Sequence, residues 1–285
     1  MTRRIVFAVL ALLLVYIGFT FDKVTVFNTE PFKGLMIAVT AVIGVLCTFE
    51  LGNMMRRKGI RVYRRVASWG VLALLLEATV SGMQYSGHLF GVAICAAWLV
   101  RMLGKVEGAS QDVSATIFTM GYVGLPLAAV VKLFLLGDQG QAWLLLSLAI
   151  IWSTDSFALF AGKLLGRHKL IPRISPGKTV EGSIGGILGA LLITWAAATW
   201  FRQWFNASDL ELVVFTIVLS VVGQAGDLAE SLLKRDAGVK DSGSELTGHG
   251  GFLDLMDAVL FCVIPVLVYV EQFHPEVMAA QAVAP

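Results

Sequence analysis

Apolar residues run along this chain in long blocks, separated by short polar stretches. Nine blocks, at about 5–21, 35–55, 66–82, 88–104, 114–136, 143–165, 181–201, 212–233 and 252–270, come close to the roughly 20 residues a helix needs to cross about 30 Å of hydrocarbon. What is left is termini and short loops. The pattern predicts an all-α, polytopic integral membrane protein with about nine transmembrane helices.

Composition narrows the class. Of the 285 residues, 57% are apolar and 15% charged, with a mean hydropathy of +0.78. A soluble domain runs nearer 45–50% apolar and about a quarter charged. A large soluble domain, a fibrous repeat and a disordered chain are therefore excluded. The net charge of +2 gives no basic face for nucleic acid. Cys47, Cys95 and Cys262 all lie inside apolar blocks without CxxC spacing, so neither a disulfide framework nor a thiolate zinc site is expected. The 29 glycines suit close helix packing in lipid.

Arg3 and Arg4 precede the first block, but no small-x-small cleavage site follows it, so a retained first span is expected rather than a signal peptide. With the N-terminus inside, 18 of the 22 Lys and Arg fall on the inner face and only Lys23, Lys33 and Arg202 outside, with Lys132 near an outer helix end. That bias satisfies the positive-inside rule and places the C-terminus outside. Chemical content divides the chain into an apolar scaffold at 1–140 and a second domain at 141–285, which holds nearly every intramembrane carboxylate and every patterned polar loop. There is no convincing internal repeat, which counts against a transporter built from inverted repeats.

Three stretches carry candidate chemistry. In Gly226-Asp227-Leu228-Ala229-Glu230-Ser231-Leu232-Leu233-Lys234-Arg235, the residues Asp227, Glu230, Ser231 and Lys234 share one helical stripe. A carboxylate facing lipid costs several kcal/mol, so such residues face a wet cavity, a partner or an ion. Next comes a glycine-rich loop with Lys240 and Asp241, then His249-Gly250-Gly251 before a helix that opens with Asp254 and Asp257. Glycines let backbone approach a phosphate, and a helix N-terminus offers unpaired N–H groups. Carboxylates beside a phosphate then call for a hard cation between them, which points to Mg²⁺.

The third stretch, Arg167 to Gly182, joins the sixth and seventh spans. Its Gly177-Lys178-Thr179 is not a Walker A loop, because that pattern needs a glycine where Pro172 stands. Ser175 reads as a helix N-cap with Pro176 at the first helical position, aiming Lys178 and Thr179 at an anion. Gly182, Gly185, Gly186 and Gly189 form overlapping GxxxG pairs, read as packing. Asp155, mid-span, requires a buried partner or a cavity; Glu77 is isolated and receives no role.

At these residues the chain resembles the bacterial phosphatidate cytidylyltransferases. Their pattern is matched by Ser231-Leu232-Leu233-Lys234-Arg235, Lys240-Asp241-Ser242-Gly243, His249-Gly250-Gly251, Asp254 and Asp257, and by the Ser175-Pro176-Gly177-Lys178-Thr179 loop. The motifs cover about 150–260. Two positions depart: the family's Arg between the paired aspartates is Leu255, and its Pro before Gly-His-Gly-Gly is Thr247. The resemblance implies CTP plus phosphatidic acid giving CDP-diacylglycerol and pyrophosphate, at the cytoplasmic face of a bacterial inner membrane. It also implies a homodimer and Mg²⁺, alone or with a second metal ion. Asp227 and Asp254 are the expected metal ligands with Glu230 and Asp257 in support, while Asp241, Lys234 and His249 complete the catalytic set. Ser175, Lys178, Thr179, Arg235, Lys240, Gly250 and Gly251 are the expected substrate contacts. A CTP-dependent polyprenol-type kinase and a non-enzymatic transporter are the competing classes.

Overall fold

The structure is a computed structural model, in which residues 29–243 and 250–282 are described. The first predicted span and the loop positions Thr247 and His249 lie outside the described residues. The other eight apolar blocks are all helical. They form α1 (Glu30–Arg57), α2 (Arg64–Ser81), α3 (Ser86–Met102), the pair α4 (Ala109–Thr119) and α5 (Leu125–Leu135), then α6 (Gly137–Leu165), α7 (Val180–Trp200), α8 (Asp209–Asp236) and α9 (Phe252–Phe273). A short α10 (Pro275–Ala282) follows.

Among the described residues six helical segments are long and apolar enough to cross a membrane: 30–57, 109–135, 137–165, 180–200, 209–236 and 252–273. The blocks near 66–82 and 88–104 fall short. α2 has 18 residues but includes Arg64, Arg65 and Glu77, and α3 has 17. α7 shows what lipid asks of such a helix, with Ile184, Leu188, Leu192 and Trp195 all exposed along one stripe.

Local chemistry explains the boundaries. Arg56 and Arg57 in the last turn of α1 complement its dipole. α4 and α5 are one continuous rod interrupted by a π turn at Met120–Gly124. Pro126 stands just beyond, where it cannot donate to the preceding turn and its ring crowds the carbonyl below, so the ladder widens there. α8 ends in a turn whose Gly238 has φ +68°, with its N–H donating to the Arg235 carbonyl at 3.1 Å.

The described residues form two compact units. One comprises residue 29, 136–231 and 261–282; the other comprises 30–135 and 232–260. The scaffold and chemistry halves read from the sequence are thus a division by content, whereas the compact units are each discontinuous in sequence. In the first unit α6 packs along α7 through small residues: a Cβ on Gly186 would stand 2.7 Å from the Thr154 carbonyl, and one on Gly182 would stand 2.8 Å from that of Ala158. The GxxxG reading as close packing accounts for this. Polar pairs add specificity, with Thr154 donating to Ser220 at 3.0 Å and Thr194 bonded to Thr216 at 2.8 Å. The second unit packs Cys47, Leu51, Met54, Val71, Leu75 and Leu127 with Leu253 and Leu260. Here Gly44 admits Val71, whose Cγ1 would lie 2.9 Å from a Cβ at that position. All three cysteines are free.

The stretch before α7 differs from the sequence expectation. Ser175 does not cap a helix. Ser175–Thr179 is strand β2, paired antiparallel with β1 (Lys169–Ile171), and the helix starts at Val180. The residue before a proline is pushed towards extended backbone, which holds Ser175 in the strand. Thr179 is the cap, its hydroxyl accepting from the Gly182 N–H at 3.1 Å. Glu181 then ties the hairpin down by accepting from the N–H groups of Arg167 (3.1 Å) and His168 (3.2 Å) and by pairing with the His168 ring at 2.6 Å.

Candidate functional site

The polar residues singled out above gather in two clusters, one in each compact unit. In the first, Asp227 on α8 meets Lys178 of β2, with Nζ 2.6 Å from Oδ2 and both side chains about a quarter exposed. Ser231, one turn on, donates weakly to Oδ1 at 3.4 Å. Glu230 is fully buried on the same stretch of α8. Ser175 is half-buried and Thr179 buried, so the hairpin offers Lys178 as its reaching group.

The second cluster is built around Asp254, in the first turn of α9. Its Oδ1 accepts from Lys234 Nζ at 2.6 Å. Its Oδ2 accepts from the N–H of Gly251 (2.8 Å) and of Ser242 (2.9 Å), with the Ser242 hydroxyl also 2.9 Å away. Four donors thus converge on one carboxylate, and both members of the ion pair are only 11% exposed. Gly250 and Gly251 are required by this arrangement. A Cβ on Gly250, which has φ +84°, would run into the Asp254 carboxylate, and one on Gly251 into the Glu50 carboxylate and the Ser242 hydroxyl. What these glycines hold close is a pair of carboxylates.

Glu50, which lies outside the three candidate stretches, is the second of that pair. It is buried in α1, where Oε1 accepts from Phe252 N–H at 2.8 Å and Oε2 from Leu253 N–H at 2.9 Å. It therefore caps α9 from a helix some 200 residues earlier, satisfying the orphan donors of the first turn. The Ser242 hydroxyl lies 2.8 Å from Glu50 Oε2 and 2.9 Å from Asp254 Oδ2. Its single proton serves one carboxylate at a time. A signal for Glu50 existed: Glu50, Asn53 and Arg57 stand at i, i+3 and i+7, the same stripe spacing that relates Asp227, Glu230 and Lys234.

The remaining expected residues are placed as follows. Asp257 is buried, with Oδ1 accepting from Ala258 N–H at 2.6 Å. Arg235 is exposed and donates to the Val239 carbonyl at 3.2 Å, supporting the turn after α8. Lys58 pairs with Asp236 at the same helix end. Lys240 and Asp241 line a polar cleft of about 450 Å³ together with Asn53, Arg57, Ser242 and Gly243. Leu255 is exposed next to Asp254. Asp155, expected to require a buried partner or a cavity, is exposed on α6 next to the buried Thr154. Glu77 serves the fold: it accepts from the Ser81 and Ser86 hydroxyls at 3.0 and 2.6 Å and from Tyr85 N–H at 2.8 Å, closing the α2–α3 turn.

The donor chemistry fits a hard cation at both aspartates. Each is an oxygen ligand that already faces an ammonium at 2.6 Å, so each carboxylate is held in a geometry that meets positive charge. Among the described residues, no three His, Cys, Asp or Glu side chains converge on one point. The protein would therefore supply one or two ligands at any place and leave the rest of the shell to substrate oxygens, which is how Mg²⁺ is commonly bound beside phosphates.

Comparison with known proteins covers most of the chain. The profile of the Cytidylyltransferase family matches residues 2–273. A Bacillus subtilis protein named phosphatidate cytidylyltransferase is 35% identical over 277 residues, spanning 94% of this chain and 97% of its own. Proteins of the same name from Staphylococcus saprophyticus and Staphylococcus aureus are 32% and 34% identical over 82% of this chain, and 88% and 89% of theirs.

Proposed function

We propose, from the premise that this chain belongs to the cytidylyltransferase family, that it transfers the cytidylyl group of CTP to phosphatidic acid, giving CDP-diacylglycerol and pyrophosphate. The observation that supports this most directly is the chemistry of the stretch from Asp227 to Asp257. There the chain concentrates the Lys234–Asp254 pair, Asp227 with its partner Lys178 from the hairpin, a glycine-rich loop and one wall of a polar cleft within an otherwise apolar sequence.

The nucleophile is a phosphate oxygen of phosphatidic acid. It forms a bond to the α-phosphorus of CTP while the bond to the β-phosphate bridging oxygen breaks and pyrophosphate leaves. A phosphomonoester has a second pKa of about 6, so it is largely dianionic at neutral pH and needs no general base. The obstacle is repulsion between two anions, and catalysis is then mostly positioning and charge stabilisation. Lys178 and Lys234 are the ammonium groups placed to share themselves between a carboxylate and a phosphate. Arg235, Lys240 and His249 add positive charge, and Ser175, Thr179, Gly250 and Gly251 shape the substrate contacts. Asp241 completes the set.

Asp227, backed by Glu230, and Asp254, backed by Asp257, are the residues proposed to hold Mg²⁺, alone or with a second ion. When bound, the metal neutralises phosphate charge as a Lewis acid. The same proposal includes a homodimer in a bacterial cytoplasmic membrane, with the chemistry at the inner face, the N-terminus inside and the C-terminus outside.

The test is purified protein with phosphatidic acid, Mg²⁺ and CTP labelled at the α- or the γ-phosphate, followed by lipid extraction. Label from the α-position is expected in the lipid. Label from the γ-position instead would make the protein a lipid kinase, and label from neither would end the proposal.

A further inference from the structure

The cleft of about 450 Å³ has the size of a small-molecule site, and its position within the second unit is informative. One wall is the C-terminal end of α1, with Asn53 and Arg57; the other is the turn Gly238–Gly243, with Lys240 and Asp241. Ser242 belongs to this wall and is the residue that hydrogen-bonds both Glu50 and Asp254. Ser242 thus links the cleft wall to Asp254 by a hydrogen bond of 2.9 Å.

Its cations differ from their neighbours. Lys58 is committed to Asp236, and Arg64 donates to Asn53 at 2.8 Å. The Arg57 and Lys240 side chains are exposed and have no hydrogen-bond or ion-pair partner among the described residues. Two uncommitted cations against one carboxylate, Asp241, leave the cleft formally positive. Of its nine lining residues only Met54 and Val239 carry apolar side chains. A lipid headgroup would bring acyl chains that need an apolar track beside it, whereas a soluble polyphosphate needs donors alone.

We infer that this cleft receives the polyphosphate of the nucleotide, held by Arg57 and Lys240, and that it is the seat from which pyrophosphate departs. The inference rests on the cytidylyl-transfer reading and adds to it a residue, Arg57, from the apolar half of the chain. Arg57 offers a planar fork that can meet two phosphate oxygens at once, and Lys240 offers a point charge opposite.

The experiment is calorimetric binding of pyrophosphate, with Mg²⁺ present, to detergent-solubilised full-length protein and to Arg57→Gln, Lys240→Gln and Arg56→Gln. Arg56 is the adjacent cation that does not line the cleft. Affinity is expected to fall about tenfold or more in the first two variants and to stay within about twofold in the third, each tenfold step being one lost interaction of roughly 1.4 kcal/mol. In turnover assays the KM for CTP should rise in parallel while that for phosphatidic acid stays put. Unchanged pyrophosphate affinity in Arg57→Gln, an equal loss in Arg56→Gln, or a rise in the phosphatidic acid KM alone would overturn the inference. Pyrophosphate binding that behaves as expected in a protein that never transfers α-label would sink the activity reading and leave the cleft assignment standing.

Discussion

Two aspartate–lysine pairs in this protein have the same contact distance, 2.6 Å, and different surroundings. Asp227–Lys178 is about a quarter exposed, and its carboxylate accepts one further weak hydrogen bond. Asp254–Lys234 is nearly enclosed, and its carboxylate also receives two backbone N–H groups and lies beside a hydroxyl. The comparison separates two roles that look identical in the sequence. A part-exposed pair costs little to open, so Asp227 can exchange its lysine for another cation. An enclosed pair with a full set of donors holds the start of α9 in place, so Asp254 meets a cation only by giving up Lys234, at a larger cost than Asp227.

The largest test of this contrast is Asp254→Asn. It leaves Lys234 enclosed without its counter-charge, and breaking such a pair costs about 3–5 kcal/mol. The variant is expected to lose both thermal stability in detergent and cytidylyl transfer. Next comes Asp227→Asn, which should abolish Mg²⁺-dependent turnover while membrane insertion and melting temperature hold, because a part-exposed pair is worth about 0–1 kcal/mol. Equal destabilisation of the two variants, read by melting curves, would erase the distinction. Lys178→Gln should have a smaller effect, about tenfold in kcat/KM, or roughly 1.4 kcal/mol of transition-state stabilisation. The smallest is Glu77→Gln: it weakens hydrogen bonds at the α2–α3 turn, costing about 1 kcal/mol in unfolding, with transfer activity unchanged.

Much of the helical layout was legible because lipid imposes one rule on every span, so eight apolar blocks become helices at nearly their expected positions. The acidic stripe on α8 and the close packing of Gly182 and Gly186 were legible for the same reason: helical periodicity converts spacing into facing. The start of α7 was not, because Ser175-Pro176 satisfies both a helix-start pattern and an extended dipeptide, and only pairing with Lys169–Ile171 decides between them. Glu50 escaped because its partners are amides of Phe252 and Leu253, and no local pattern reports a cap delivered from another helix. Gly250 and Gly251 announced a close approach, read there as one to a phosphate, and in the fold the groups beside them are the carboxylates of Asp254 and Glu50.

Glu50 also dates the assembly of its unit. A ribosome makes this carboxylate about 200 residues before it makes the amides that receive it. Until α9 is made, the two Glu50 oxygens lack the N–H groups of Phe252 and Leu253 that they accept from in the finished fold. Chains that terminate before residue 252 therefore leave this acid without its amide partners and α1 without its link to α9.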